Sequence, residues 1–158
     1  MTADRIAIRL APLLLAPLLG SCQPGDIRVE AAFIGRALAF VAAEGGNGGD
    51  GFCWKDATVV DDSLRPAWRF TAPGTGECRS LLPLFYGRPP AGADAGAPAR
   101  PLEPGRLYLF VGDATANVSG AFILGRSGKG LLIRNVDPGS PAAAELRRRW
   151  WAKLRSGR

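Results

Sequence analysis

Short apolar or alternating runs, separated by turn-forming residues, follow one another along most of the chain. Every second residue from Ile27 to Phe33 is apolar, and the later runs are rich in Phe, Val, Ile and Tyr. Such runs are typical of antiparallel β-strands. The predicted strands cover residues 27–33, 38–43, 52–60, 67–71, 81–86, 106–111, 120–125 and 130–136. About seven or eight strands in one chain predict an all-β domain, either a single antiparallel β-sandwich or a small barrel.

Three local features refine this prediction. Residues 121–136 hold two apolar runs joined by a short polar turn, which predicts a β-hairpin. Trp54 and Trp68 are expected in the core or at its edge, because large aromatic side chains dominate core packing. Asp61 and Asp62 end a strand, where adjacent side chains point to opposite faces, so a turn is favoured over a pair of catalytic acids.

Two loops interrupt the strands. Residues 45–53 match one copy of a calcium-binding nonapeptide, but Asp50 is the one carboxylate in the loop, so a flexible inter-strand connection is favoured over a Ca²⁺ site. Residues 87–105 are rich in Pro, Gly and Ala, a composition that opposes regular pairing, and are expected to be a disordered excursion or a surface arm. We expect no metal and no cofactor.

The C-terminal residues predict a helix. Ser140 and Pro141 suit the N-cap and the first helical position, and strong helix formers follow them. Leu146, Trp150 and Leu154 recur every four residues, which predicts one apolar face with basic residues around it.

This basic amphipathic tail, residues 140–158, has three interpretations. It is an interfacial helix on anionic lipid, a helix that packs on the β-domain, or a frayed end. The candidate membrane-surface residues are Arg147, Arg148, Arg149, Trp150, Trp151 and Lys153.

Composition and charge argue against two further classes of function, nucleic-acid binding and catalysis. The 158-residue chain has no histidine, and its 20 basic and 14 acidic residues give a formal net charge of +6. Residues 22–144 are neutral, with 12 residues of each sign, and residues 145–158 carry a net charge of +5. A neutral body gives no reason to expect nucleic-acid binding. Because histidine is the commonest general base, its absence argues against an enzyme.

Residues 1–21 have the order of a secretory signal peptide. Arg5 and Arg9 form a basic start, residues 10–20 form an apolar run, and small residues lead into Cys22. The run is well short of the ~20 apolar residues that span a bilayer, so it predicts export and no membrane span.

The residues Leu19-Gly20-Ser21-Cys22 resemble the lipobox of bacterial lipoproteins, in which the cysteine becomes a lipid-modified N-terminus. The resemblance implies a diacylglyceryl group and an acyl chain such as palmitate on Cys22, which together anchor a protein far more firmly than one chain does. Gln23, where some lipoproteins have Asp, implies the outer membrane, facing the periplasm. The alternative is an ordinary cleaved signal with Cys22 as a stray thiol.

Cys53 and Cys78 remain once Cys22 is assigned to lipid. An even pair in an oxidising compartment predicts one structural disulfide, which stabilises the fold by roughly 3 to 4 kcal/mol in the chain-entropy model. A redox-active pair usually has Cys-x-x-Cys spacing or an activating His, and this chain has neither.

Several elements of the body stand in a characteristic order. They are residues 68–70, Cys78, and residues 84–90, 101–110 and 120–133. In this order the body, from about residue 55 to residue 136, is similar to a group of small exported lipoproteins of proteobacteria that have no established activity. The resemblance implies an all-β domain and brings no functional residue with it.

The sequence therefore predicts a signal peptide over 1–21, a β-sandwich domain over 22–139 and the helical tail over 140–158. The expected function is a non-enzymatic, lipid-anchored cell-envelope protein, an accessory or binding module for an envelope protein or polymer. The alternative is an inhibitor of an envelope hydrolase such as a lysozyme-type enzyme, into whose cleft the 87–105 loop would insert. An enzyme built on carboxylates alone is a weaker third class.

Overall fold

The computed structural model describes residues 27–43, 53–72, 82–114, 116–128 and 130–157. Within these ranges, eight strands and then one helix confirm the predicted all-β class and its C-terminal helix. The elements are β1 (Ile27–Ile34), β2 (Ala37–Ala42), β3 (Asp56–Asp61), β4 (Pro66–Thr71), β5 (Leu84–Phe85), β6 (Leu107–Asp113), β7 (Asn117–Ser127), β8 (Gly130–Val136) and α1 (Pro141–Ser156).

The strands form one curled, mixed sheet, which has the shape of a half-barrel. The strand order is β4-β3-β6-β7-β1-β2-β5, and β8 also pairs with β7. Neighbouring strands are antiparallel except β1 and β7, which run parallel where Ile27 faces Val118 and Arg28 faces Ser119. The expectation of antiparallel strands throughout is therefore wrong at this pair. Its two strands are distant in sequence, and local hydrophobic patterns carry no information on how such strands pair.

The sheet branches at β7, whose first residues pair with β1 and whose later residues pair with β8 in the predicted hairpin. β1 leaves β7 by passing close to Gly120. A Cβ atom at Gly120 would lie 2.3 Å from the carbonyl oxygen of Val29. Glycine at this position thus lets β1 cross over β7 and continue into its pairing with β2.

The inner face of the sheet holds an aromatic core. The rings of Phe40 and Phe110 have centroids 4.5 Å apart, and those of Trp68 and Phe70 lie 5.5 Å apart. Trp54 and Trp68 are 5% and 2% exposed, which confirms their predicted place in the core. Tilted and edge-to-face ring pairs add about 0.5–1.5 kcal/mol each beyond the burial of their area.

The helix α1 packs on the outer face of the sheet. The buried contact joins Ala143, Leu146 and Trp150 of the helix to Val60, Leu109, Val111 and Ala121 of the sheet. Of the three interpretations of the tail, packing on the β-domain is the one that the structure shows. Ser140 and Pro141 take their predicted places at the start of the helix, although the side chain of Ser140 makes no capping hydrogen bond.

Residues 87–105, here called the strap, are ordered and run along the edge strand β4. The N–H of Arg100 donates to the carbonyl of Ala67 at 2.8 Å, and Thr71 and Asp94 exchange backbone hydrogen bonds of 2.8 and 2.9 Å. The strap thus covers an edge that would otherwise be open to pairing. Of the two expectations for this segment, the surface arm is the one that fits, because these hydrogen bonds to β4 replace the regular pairing that Pro and Gly prevent.

Candidate functional site

The outer face of β4, β3, β6 and β7 carries two rows of side chains beside α1. In the first row, Thr58 lies between Arg69 and Val111, and Val111 pairs in turn with Ser119. Residues that are directly opposed on neighbouring strands point to the same face, so these four side chains line up across the sheet. With strands about 4.8 Å apart, the row is about 14 Å long.

The second row runs parallel to the first, one residue pair along each strand. Asp56 lies between Thr71 and Asp113, and Asp113 pairs with Asn117. Val111 is covered by α1, and we call the seven polar side chains of the two rows the polar floor. It presents hydroxyl, carboxamide, carboxylate and guanidinium groups on one side of the sheet.

The helix α1 forms a wall beside the polar floor. Trp150 is buried against the sheet, whereas Trp151 is 46% exposed and Leu154 is 40% exposed. Both exposed side chains line the groove between the helix and the floor. The groove therefore has a flat aromatic surface beside a bed of hydrogen-bonding groups.

Three adjoining depressions make this groove continuous. The central depression, of about 370 Å³, lies between Trp151 and the polar floor. It shares Trp151 with a depression of about 310 Å³ towards β7, and it shares Arg69 with one of about 250 Å³ towards the strap. A ligand that contacted all three depressions would be an extended chain.

The charges in the groove are mixed. Burial, followed by repulsion from Asp113, raises the pKa of the Asp56 carboxyl above its ordinary value. The Nζ of Lys55 lies 3.4 Å from an oxygen of Asp113, and this pair is exposed. Arg69 and Arg147 line the two outer depressions. The groove thus offers carboxylate acceptors near its middle, with a guanidinium donor on either side of them.

Asp61, whose side chain is buried, holds the turn between β3 and β4. Its Oδ1 accepts hydrogen bonds from the backbone N–H groups of Ser63 and Arg65, at 3.0 and 2.9 Å. Guanidinium nitrogens of Arg65, Arg100 and Arg106 lie 3.3, 3.5 and 3.8 Å from its Oδ2. Burial alone would raise the pKa of Asp61, but the hydrogen bond and the charge of Arg65 outweigh it and hold the pKa below its ordinary value. The turn predicted here is confirmed.

The C-terminal half of α1 is fixed to that same turn. The Nζ of Lys153 donates to the carbonyl of Leu64 at 2.7 Å, and a guanidinium nitrogen of Arg149 lies 3.4 Å from the carbonyl of Asp62. Lys153 also lies 5.9 Å from the ring centroid of Trp150. The wall of the groove is therefore held in place relative to its floor.

These contacts correct part of the membrane-surface prediction. Trp150 is 6% exposed beneath the helix, so its assignment to a membrane surface is wrong, because the sheet already covers its ring. Arg149 and Lys153 contact the β3–β4 turn. Of the other three candidates, Arg147 and Trp151 line the groove and Arg148 is exposed.

Several predicted residues lie outside the described residues. They are the signal peptide with Cys22, the loop from residue 45 to residue 52, and Cys78. Cys53 is half-buried ahead of β3 and is a half-cystine. Because its partner is not among the described residues, the Cys53–Cys78 disulfide stays a prediction.

Sequence reasoning missed the polar floor because its residues come from four strands that are far apart in the chain. The available signal was a polar residue at every second position in Asp56-Ala57-Thr58, Arg69-Phe70-Thr71 and Asn117-Val118-Ser119. This alternation places two polar side chains on one face of each strand. The strand register, which the sequence does not reveal, brings the three pairs together.

Within the described ranges, no three His, Cys, Asp or Glu side chains are grouped to hold a metal ion, and no helix is long and apolar enough to cross a membrane. No protein-family model matches the chain, and no curated protein or solved structure shows significant similarity to it. The resemblance of residues 55–136 to small exported lipoproteins therefore stays an expectation.

Proposed function

We propose that this protein is a non-enzymatic, lipid-anchored cell-envelope protein whose groove binds a polysaccharide strand of the envelope. The observation that carries the proposal is the position of Trp151. Its exposed side chain stands between two depressions, with the polar floor beside it.

The chemistry of a sugar ring matches these surroundings. A sugar has polarised C–H groups on its faces and hydroxyl groups around its rim. The face of a tryptophan ring carries negative charge density, which attracts such C–H groups. Thr58, Thr71 and Ser119 both donate and accept hydrogen bonds, and Asn117 and Asp56 add further acceptors, so the floor suits a rim of hydroxyl groups.

The shape of the groove favours a polymer over a single sugar. The polar floor is about 14 Å long, and the three depressions continue into one another along and beyond it. None of them is deep, which suits a strand lying on the surface. This interpretation keeps the expected role of a binding module and chooses a polymer as its ligand.

The expected lipid anchor lies close in sequence to one end of this groove. Cys22 is five residues before Ile27, where β1 begins, and five residues reach at most about 18 Å. At the start of β1, Arg28 pairs with Ser119 of the polar floor. A lipid on Cys22 would therefore hold the β7 end of the groove near the membrane, which we expect to be the outer membrane.

The strap supports the binding module over the hydrolase inhibitor. The inhibitor hypothesis needed residues 87–105 to protrude into the cleft of an enzyme. The strap instead lies along β4, where Tyr86 Oη at its start is 2.6 Å from the carbonyl of Arg100 and 3.1 Å from that of Ala67. A segment tied down in this way is poorly placed to insert elsewhere.

The proposal is tested with the mature lipidated protein in detergent, which is mixed with purified peptidoglycan and sedimented. We expect the protein to sediment with the polysaccharide, and we expect Trp151→Ala to lose most of this binding. Phe33→Ala is the matched control, because Phe33 is an exposed aromatic residue, 38% accessible, on β1 and away from the groove.

Equal loss of binding in both variants, or full binding by Trp151→Ala, would contradict the groove assignment. Release of new reducing ends from the polysaccharide would contradict the non-enzymatic role. The anchor is tested separately: Cys22→Ala is expected to move the protein from the membrane to a soluble fraction, and retention of this variant in the membrane would contradict a lipid on Cys22.

A further inference from the structure

The strand β8 is exposed on both of its faces. Leu131 is 50% exposed and Leu132 is 42% exposed, and successive side chains of a strand point to opposite faces. Apolar residues on an exposed edge strand form a ready template for pairing with another chain. Among the other described edge strands, β5 has two residues and β4 is covered by the strap, whereas β8 is seven residues long.

The backbone of β8 also has a free edge. One edge pairs with β7 over its whole length. On the other edge, the one contact with a strand within the described residues is near the C-terminal end of β8. There the side-chain amide of Asn135 forms hydrogen bonds with the backbone of Ala31 in β1. Residues that flank a two-residue turn pair with each other, so Gly130 directs its backbone groups to β7, and Leu131 and Ile133 direct theirs outwards.

The hairpin that carries this edge is basic. Residues 117–136 contain Arg126, Lys129 and Arg134 and no acidic residue. Neither Arg126 nor Arg134 forms an ion pair with a described residue. Pairing of two copies through β8 would bring these charges together, so electrostatics opposes a second copy and favours an acidic partner.

We propose that the free edge of β8 binds an extended, acidic segment of a partner protein as an added β-strand. The outward backbone groups of Leu131 and Ile133 form the new hydrogen bonds. The side chains of Leu131 and Ile133, on one face, contact apolar side chains of the partner, and Arg134, on the opposite face, contacts its acidic ones. This site is separate from the groove, whose floor lies on β3, β4, β6 and the first residues of β7. The protein would thus hold a polysaccharide with one surface and a partner protein with another.

The probe for this site is a synthetic peptide of alternating Glu and Val, with a Lys and Val peptide as its charge control, titrated against the full-length protein in detergent. We expect the Glu and Val peptide to bind, to slow hydrogen exchange at the amides of Leu131 and Ile133, and to bind about tenfold more weakly at high salt. The Lys and Val peptide is expected not to bind. Failure of the acidic peptide to bind, or equal binding of both peptides, would overturn the proposal.

Two variants locate the contact. Leu131→Pro removes an N–H that faces away from β7, so the hairpin keeps its ladder while the added strand loses a hydrogen bond and meets the proline ring. Arg134→Glu reverses one charge on the surface. Both variants are expected to bind the acidic peptide about tenfold or more weakly, whereas Trp151→Ala is expected to leave its affinity unchanged.

Unchanged binding in both hairpin variants would overturn the proposal. Slow exchange at Leu131 and Ile133 without any peptide, lost together with a dimer on dilution, would also overturn it and assign the edge to a second copy. Because Trp151→Ala reports on the groove alone, failure of this site and failure of the polysaccharide site are distinguishable.

Discussion

The side chain of Asn135 takes the place of a missing strand neighbour for Ala31. Its Oδ1 accepts a hydrogen bond from the N–H of Ala31 at 2.8 Å, and its Nδ2 donates to the carbonyl of Ala31 at 3.0 Å. This pair lies where β1 has left β7 and β8 has taken over the pairing. One carboxamide thus satisfies two backbone groups that the branching of the sheet would leave without partners.

Replacement of Asn135 by alanine is expected to destabilise the protein by about 2 kcal/mol. Ala31 is 4% exposed and both hydrogen bonds are partly buried, so the loss of the partners of its N–H and carbonyl is expected to cost about 1 kcal/mol each. Urea denaturation followed by circular dichroism measures the change. Asn117→Ala, on the exposed rim of the groove, is the control, and an equal effect in both variants would contradict this role of Asn135.

Replacement of the neighbouring residues Trp150 and Trp151 by alanine is expected to change stability by very different amounts. Trp150→Ala removes a buried ring from the contact between α1 and the sheet and is expected to lower the free energy of unfolding by about 3–5 kcal/mol. Trp151→Ala is expected to change it by less than about 1 kcal/mol, since its side chain is exposed.

Removal of the helix, in a chain that ends at Gly139, tests the membrane interpretation of the tail. Binding to anionic vesicles that disappears in a chain ending at Gly139, with no change in melting temperature, would contradict the packing of α1. We expect this truncation to lower the melting temperature, because it removes all three buried residues of the helix.

Asp61→Asn is expected to destabilise the protein by about 2 kcal/mol at pH 7, because Arg65 and Arg100 lose their charged partner. The pKa of Asp61 in the folded protein lies below its ordinary value of 3.8. Its ionisation therefore stabilises the fold above about pH 3.8, and this stabilisation is lost as the pH falls through the folded pKa. Denaturation of both proteins at pH 7 and at pH 3 is expected to show a smaller difference at pH 3. A difference that stays constant with pH would contradict the ionised state of Asp61.

The sequence predicted the elements of this fold better than their arrangement. Each predicted strand has a counterpart, and Trp54, Trp68 and the hairpin lie as expected, because periodicity and turn residues act locally. The parallel pairing of β1 with β7 depends on contacts across most of the chain. The path of the strap also depends on such distant contacts, because its Pro and Gly content excludes regular strands and single hydrogen bonds of Arg100 and Thr71 hold it along β4.

The groove could not be predicted from the sequence, because it too depends on contacts between distant parts of the chain. The sequence predicts Trp151 only as a candidate membrane-surface residue. Its place beside the groove follows from the packing of Leu146 and Trp150 on the sheet, which the sequence does not reveal. The residues of the floor are unremarkable in isolation. Strand register places Asp56 beside Thr71 and Asp113, and register is a property of the folded sheet.

Loss of either Cys53 or Cys78 is expected to destabilise the exported protein by roughly 3 to 4 kcal/mol, the chain-entropy value for a closed loop of this length. The free energy of unfolding of Cys53→Ser, Cys78→Ser and the double variant measures the effect. Because both thiols belong to one bond, the three variants are expected to be equally destabilised. Two free thiols in the purified protein, found by mass analysis without reductant, would contradict the disulfide.

The most direct measurement of the central claim uses the fluorescence of the protein's four tryptophans. Trp54, Trp68 and Trp150 are buried, so acrylamide is expected to quench mainly Trp151. Soluble oligosaccharides released from peptidoglycan are titrated into the full-length protein in detergent, and the quenching constant is followed. If the groove binds the polysaccharide, quenching falls as the sugar covers Trp151, and the Trp151→Phe variant shows no such fall. Quenching that stays unchanged at saturating oligosaccharide would contradict binding in the groove.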